Sequence, residues 1–346
     1  MDKYVIVLAA GKGTSMNSID PETSKVAYPI LGKPIINYVL DAIKPLEPKK
    51  TVVVVGFGGE TTKSLVEKEA DVVWQKDILG TGHAVLQTRK LLEGREGQTL
   101  IIYGDTPLVA TETIENVFHR HNSRGNDMTV VSAVLENPKG YGRVIREHKS
   151  NKILEIIEET DCPEDLTYMN EVNTGICVIN NDVLWKYIDK LSKDNARHFY
   201  YLSELVKILV SDGLQVDTFV AADRSEVFGI NNRVQLAYAA KVMRKRINNR
   251  LMLSGVSIED PDTSYISPDV EIGRDTIILP NTTILGPSKI GEGNTIGPNS
   301  NLQRVIIGNN NQIYGSTISD STITDNSIIG PYTILSNENM GQKENK

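Results

Sequence analysis

A chain of 346 residues, 40% apolar and 23% charged, has the length of two domains and the composition of an ordinary globular protein. Its net charge of −7 argues against a nucleic-acid binder, which needs a basic surface. No run approaches the ~20 apolar residues of a membrane span, and two cysteines, Cys162 and Cys177, make no disulfide framework and point to a reducing cytoplasm.

The first elements alternate. Tyr4 to Ala10 reads as a buried strand, too short and too poorly flanked for a signal peptide, and runs into a glycine loop. Ile35 to Ile43 has helical spacing, Thr51 to Val55 is a β-branched strand, Thr61 to Glu69 is helix-like, and Val72 to Trp74 reads as a third strand. Ala84 to Leu92 is helix-like, Leu100 to Tyr103 a strand ending at Gly104-Asp105, Thr111 to His121 a helix and Met128 to Leu135 a strand. This alternation predicts βαβ units in a mostly parallel sheet, with ligands bound beyond the carboxyl ends of its strands, where Gly11, Gly56 and Asp105 fall. Residues 1–229 form this α/β domain.

Residues 230–255 read as a helical arm. Asn231 to Leu253 has no proline or glycine, and Val234, Tyr238, Met243, Ile247 and Leu251 lie near one helical face. Over residues 256–337 the composition changes. Ile272, Ile278, Ile284, Ile290, Ile296 and Leu302 recur every six residues. The phase then slips, and Ile307 and Ile313, then Ile323, Ile329 and Leu335, keep the step. A hexapeptide period with Gly, Asn, Asp and Ser between the aliphatics is the mark of a parallel β-helix, here of roughly four coils. Residues 338–346 form a polar tail.

The chemistry begins at Leu8-Ala9-Ala10-Gly11-Lys12-Gly13-Thr14. Glycines after a strand let backbone N–H groups approach phosphates, and Lys12 adds a cation. The loop is neither a Walker A sequence nor the dinucleotide Gly-x-Gly-x-x-Gly, and by itself it also suits a plain tight turn. Asp105 after its strand suits a turn as well as a ligand, and Asn231-Asn232 suits a helix cap. The five histidines show no spacing of a metal site or triad, and Tyr200-Tyr201 reads as packing.

An ordered series of motifs is more specific. Leu8 to Thr14 is followed by Lys25-Val26, Gly32-Lys33-Pro34, Gln75 with Leu79-Gly80-Thr81-Gly82-His83-Ala84, and Tyr103-Gly104-Asp105-Thr106-Pro107-Leu108. Then come Gly140-Tyr141-Gly142-Arg143, Glu158, Glu171-Val172-Asn173-Thr174-Gly175 and Gly229-Ile230-Asn231-Asn232-Arg233. This series resembles the uridylyltransferase half of the bacterial bifunctional GlmU family over most of residues 1–255, continuing into the β-helix. The resemblance implies a Rossmann-like nucleotidyltransferase domain followed by a left-handed parallel β-helix. It implies Mg²⁺-dependent transfer of a uridylyl group from UTP to N-acetylglucosamine 1-phosphate, giving UDP-N-acetylglucosamine, a cell-wall precursor, in a cytoplasmic homotrimer.

Carried onto this chain, the resemblance places the nucleotide on Leu8, Ala9, Ala10, Gly11, Lys12, Gly13, Gln75, Gly80 and Thr81. Lys25 sits on the phosphates, and Asp105 and Asn231 hold Mg²⁺; these three form the catalytic group. Tyr103, Gly104, Gly142, Glu158 and Asn173 face the sugar. Neither nucleic acid nor membrane is an implied partner.

The chain departs from the pattern in places. Ser15 stands where the family carries Arg, and serine cannot make bidentate contacts with a triphosphate. About three residues are inserted before Lys25, with Ser24 for the usual Pro. Arg197-His198-Phe199 replaces Gln-Gly-Glu on the sugar side. These departures keep two alternatives open: another hexose 1-phosphate or base, or a catalytically weak nucleotide-sugar-binding regulator. The family's acetyltransferase histidine would lie beyond residue 346, so no acetyltransferase activity is expected.

Overall fold

The computed structural model describes residues 1–20 and 23–340. Most of the expected polar tail, from residue 341 on, lies outside the described residues, as do Pro21 and Glu22 in the stretch before Lys25 where the insertion is expected. The chain divides into two compact units: Met1–Tyr28 with Pro34–Gln235, and Pro29–Lys33 with Leu236–Lys346.

The first unit is built on a nine-stranded sheet. Its strands are β1 (Lys3–Ala9), β2 (Lys50–Val55), β3 (Asp71–Trp74), β4 (Gln98–Tyr103), β5 (Met128–Val134), β6 (Arg143–Arg146), β7 (Ile153–Ile157), β8 (Glu171–Asn180) and β9 (Val216–Val220). The order is β9-β5-β8-β4-β1-β2-β3, with β6 paired to β8 and β7. β4, β1, β2 and β3 are mutually parallel, as are β5 and β9. β8 runs antiparallel to β4, β5 and β6, and β6 to β7, so the sheet is mixed.

β1 explains why the parallel half reads as unbroken apolar runs. Tyr4, Ile6 and Leu8 enter one core cluster, and Val5, Val7 and Ala9 enter the other. Both faces are covered, so no position needs to be polar. The helices α1 (Ile35–Ile43), α2 (Gly59–Val66), α3 (Thr81–Leu86), α4 (Arg89–Leu92), α5 (Thr111–Arg124), α6 (Asn181–Tyr187) and α7 (Glu204–Ser211) complete this unit. The single helix predicted over Ala84 to Leu92 is two: Thr88 has left the helix, and its hydroxyl donates to Val85 O at 2.8 Å.

A last helix, α8 (Arg233–Leu253), begins with a capping box. Asn232 Oδ1 accepts from Gln235 N at 2.9 Å, while Gln235 Oε1 accepts from Asn231 N and Asn232 N at 2.7 and 3.2 Å. The expected apolar face is only half realised: Met243, Ile247 and Leu251 are buried, but Val234 and Tyr238 are exposed.

In the second unit the hexapeptide repeats form the left-handed parallel β-helix, with three five-stranded parallel sheets as its faces. Five strands per face exceeds the four coils read from the period. Strands at Ser257–Ile258 and Tyr265–Ile266 precede the first regular hexapeptide, and Asn339–Met340 follows the last. The phase slip is a shortening of coils. Ile278 pairs with Ile296, Ile296 with Ile313 and Ile313 with Ile329, steps of 18, 17 and 16 residues. The missing step is Ile318, which pairs with Leu302 and is fully buried. Corners use left-handed residues such as Asn310 (φ 56°) and Asn326 (φ 60°), which asparagine tolerates. Behind them, buried Asn311 donates to Asn294 Oδ1 at 3.0 Å and accepts from Ser327 N at 2.7 Å, stacking one coil on the next.

Candidate functional site

The predicted site residues gather around a cleft of about 520 Å³ at the carboxyl ends of β1, β3 and β4. The glycine loop forms one wall, and Leu8, Ala9, Ala10 and Gly11 line it. Gly13 is left-handed (φ 60°), and a Cβ there would stand 3.0 Å from Lys25 Cβ, so this glycine lets Lys25 lie against the loop. Lys12 is exposed and, with Gly13, lies outside the lining; Ser15 is exposed on the turn Thr14–Met16. Arg233 ties this turn to the start of α8, its Nε donating to Met16 O at 3.0 Å.

Lys25, Asp105 and Asn231 meet at one point of the cleft. Lys25 Nζ donates to Asn231 Oδ1 at 2.8 Å and pairs with the Asp105 carboxylate. Asp105 leaves the end of β4, and its carbonyl accepts from Ile230 N at 2.9 Å, which holds Asn231 beside it. Asn232 caps α8, so the two asparagines divide their work and Asn231 Oδ1 faces Lys25. Gly229 lies against Asp105: a Cβ there would stand in ordinary contact, 3.6 Å from Oδ1.

Gln75 follows β3 directly, its N–H donating to Val55 O at 2.8 Å. Its buried side chain reaches Gly80 and His83; Gly80 and Thr81 also line the cleft, and the Thr81 side chain hydrogen-bonds Tyr103. Gly80 is required there: at φ 107° a Cβ would be driven into the backbone of Tyr200.

Tyr103, Gly142, Glu158 and Asn173 line the cleft as well. Asn173 N donates to Gly142 O at 2.8 Å, and Asn173 Oδ1 accepts from Gly175 N at 3.0 Å. Glu158 Oε1 accepts from Ser203 Oγ at 2.5 Å. Burial pushes the Glu158 carboxyl above its ordinary value; the Ser203 hydrogen bond and the charge of Arg197 oppose this, and Asp161 adds to it. Burial likewise pushes the Tyr103 hydroxyl up, reinforced by Glu158 and Asp105. Gly104 lies outside the lining; its N–H donates to Leu8 O at 2.9 Å and fixes the end of β4 against β1.

Several lining residues escaped the sequence reading. Tyr201, expected to pack, lines the cleft beside Phe199 and Arg197, with its ring edge-on to Phe199 at 6.3 Å. The Asn195 side chain clips the backbone of Phe199 at both its N–H and its carbonyl (3.1 and 2.7 Å), and His198 turns the chain at φ 53°. Asp161 Oδ1 accepts from Ala196 N at 2.8 Å and pins this segment beside Glu158. Lys139, Tyr141 and Gln235 complete the wall. Only the replacement at 197–199 had marked this segment, and nothing local marked Ser203.

Comparison with known proteins agrees with both units. Residues 5–160 match the MobA-like NTP transferase domain, and residues 269–304 the bacterial transferase hexapeptide (six repeats). The chain is 42% identical over 336 residues to the bifunctional protein GlmU of Lactobacillus johnsonii, covering 97% of this chain and 72% of that protein. It is 40% identical over 330 residues to the bifunctional protein GlmU of a Geobacillus species, covering 95% and 71%. A crystal structure of UDP-glucose pyrophosphorylase complexed with UDP-glucose superimposes with a TM-score of 0.58 at 17% identity, covering 71% of this chain and all of that one, and so shares the fold.

Proposed function

Because the chain belongs to the GlmU family and is a nucleotidyltransferase, we propose that it transfers a uridylyl group from UTP to N-acetylglucosamine 1-phosphate, releasing pyrophosphate. The observation that carries this reading is the convergence of Lys25, Asp105 and Asn231 in a cleft that Gln75, Glu158 and Asn173 also line. A nucleobase at Gln75 and a sugar at Glu158 put the reacting phosphates between them, beside that trio.

A phosphate oxygen of the sugar 1-phosphate attacks the α-phosphorus of UTP. The bond from that phosphorus to the α,β-bridging oxygen breaks, and pyrophosphate leaves with the electron pair. The attacking oxygen is already anionic, so the protein need supply no base. Its work is alignment and charge neutralisation by Lys25 and the N–H groups of the Leu8–Gly11 loop. Gly142, Asn173 and Glu158 orient the sugar, and Tyr103 closes the wall behind it.

Asp105 and Asn231 suit Mg²⁺: a carboxylate and an amide oxygen converge on one cationic point, and these are hard donors that leave room for water. When bound, the ion would be held by these two and would neutralise phosphate charge. Trimerisation through the β-helix is proposed from its exposed Ile306, Ile328 and Ile334, apolar side chains on flat solenoid faces. A cytoplasmic location is proposed with it; among the described residues no helix is long and apolar enough to cross a membrane.

A second reading, another hexose 1-phosphate, is favoured by Arg197 and Phe199 at the sugar end. Pyrophosphate release with UTP, Mg²⁺ and a panel of sugar 1-phosphates tests both. Highest kcat/KM with N-acetylglucosamine 1-phosphate supports the first reading, and preference for a different sugar supports the second. No turnover with any sugar, alongside nucleotide-sugar binding, overturns the enzymatic reading.

A further inference from the structure

Gln75 is only 2% exposed, and its side-chain nitrogen has two neighbours: Gly80 O at 3.0 Å and His83 Nδ1 at 3.0 Å. A carbonyl oxygen can only accept, so the atom facing Gly80 is the amide nitrogen and the free end is Oε1. One N–H goes to Gly80; the other points at Nδ1, which is then the unprotonated ring nitrogen. Oε1 has no protein partner among the described residues, yet it is not among the sealed-off polar atoms, and Gln75 lines the cleft. The buried amide therefore presents the cleft with an acceptor and no donor.

The surroundings hold this arrangement. Tyr200 N donates to Leu79 O at 2.9 Å and Gly82 N to Tyr200 O at 2.8 Å, which fixes the Gly80 carbonyl between them. The His83 ring lies over Tyr200, with centroids 6.4 Å apart and planes 26° from parallel. The other ring nitrogen, Nε2, is 3.2 Å from the Gln87 side-chain nitrogen, but that amide has its own acceptor in His83 O at 3.0 Å and is half-buried. The demand without a solvent alternative is that of Gln75.

We infer that His83 is a positioning residue that sets nucleobase choice by locking the Gln75 amide with its oxygen toward the cleft. A base whose edge offers an N–H, uracil or thymine, is accepted; cytosine, whose corresponding nitrogen is an acceptor, is rejected. Turning the amide over to suit cytosine would set Oε1 against the Gly80 carbonyl, which can only accept, and would require the imidazole to move its proton from Nε2 to Nδ1. The inference rests on the reading that the nucleobase lies at Gln75.

The test measures kcat/KM for UTP and for CTP with one sugar 1-phosphate in the wild type and in His83→Phe, His83→Asn and His83→Gln. Phenylalanine keeps a ring over Tyr200 and removes the acceptor; the UTP/CTP ratio is expected to fall about tenfold while KM for the sugar 1-phosphate holds. Asparagine returns an acceptor at the position of Nδ1 and restores the ratio; glutamine, reaching toward Nε2, does not. An unchanged ratio in His83→Phe, or an equal loss for both nucleotides in all three variants, overturns the inference. If the phenylalanine variant is insoluble, equal ratios in the asparagine and glutamine variants overturn it. A wild type that uses UTP and CTP alike sinks the nucleobase reading beneath it, whereas a wild type preferring UTP with an unmoved variant ratio sinks the role of His83 alone.

Discussion

Lys25 Nζ donates to Asn231 Oδ1 at 2.8 Å across 206 positions of sequence, and the same ammonium pairs with Asp105. Three residues from a loop, a strand end and a helix start thus share one charge cluster. Replacing Asp105 by Asn keeps the shape and removes the anion. Turnover with UTP and Mg²⁺ is expected to fall by a factor on the order of 10²–10³, with the thermal midpoint little changed. Activity near the wild-type value would refute the metal assignment.

Glu158 predicts a pH effect on stability. Burial raises its folded pKa above the unfolded value, so the folded state holds its proton longer. Stability linked to this group is fully present below the unfolded carboxylate pKa and is lost as pH rises through the raised folded value. Glu158→Gln should remove that loss. Melting curves taken from acid to neutral pH should show the variant gaining on the wild type as pH rises; a constant offset would contradict the assignment. Its kcat/KM for the sugar 1-phosphate should fall at the same time.

Gly175 is the close neighbour of Tyr103. Its φ is +79°, and a Cβ there would collide with the Tyr103 ring. Gly175→Ala should cost about 1–3 kcal/mol from the backbone alone, with a further loss as Tyr103 is displaced. Urea unfolding measures the first effect and KM for the sugar 1-phosphate the second. A variant as stable as the wild type would show that this turn can relax.

In the β-helix, Asn311→Ala leaves the Ser327 N–H without its 2.7 Å acceptor and deletes the 3.0 Å bond to Asn294. One stranded buried donor costs about 1–3 kcal/mol. Thermal unfolding of the full chain should show this loss while nucleotidyl transfer at low temperature is kept.

The legible parts were those governed by local rules. α1 coincides with the predicted Ile35 to Ile43, because burial on one helical face imposes its spacing. The hexapeptide period announced the β-helix, because each face takes one inward aliphatic residue. β8 went unread: Asn173-Thr174-Gly175 interrupts its pattern, and its register with β5 shifts between Asn173 and Cys177. The phase slip was legible too, but Ile318, which supplies the step between Ile313 and Ile323, was not, because cross-strand pairing tolerates a residue lost at a corner.

By itself, the sequence determined the two architectures and the residue types gathered in the cleft: a glycine loop, a lysine, an aspartate, an asparagine, a glutamine and a glutamate. Tertiary structure alone decided which of them meet. It set Lys12 and Gly104 outside the cleft lining and Tyr201 within it, gave Asn232 the cap and Asn231 the cation, and turned the Gln75 oxygen outward. The physical reason is that hydrophobic period and turn propensity are local properties, whereas hydrogen-bond direction and cleft position depend on partners supplied by distant strands.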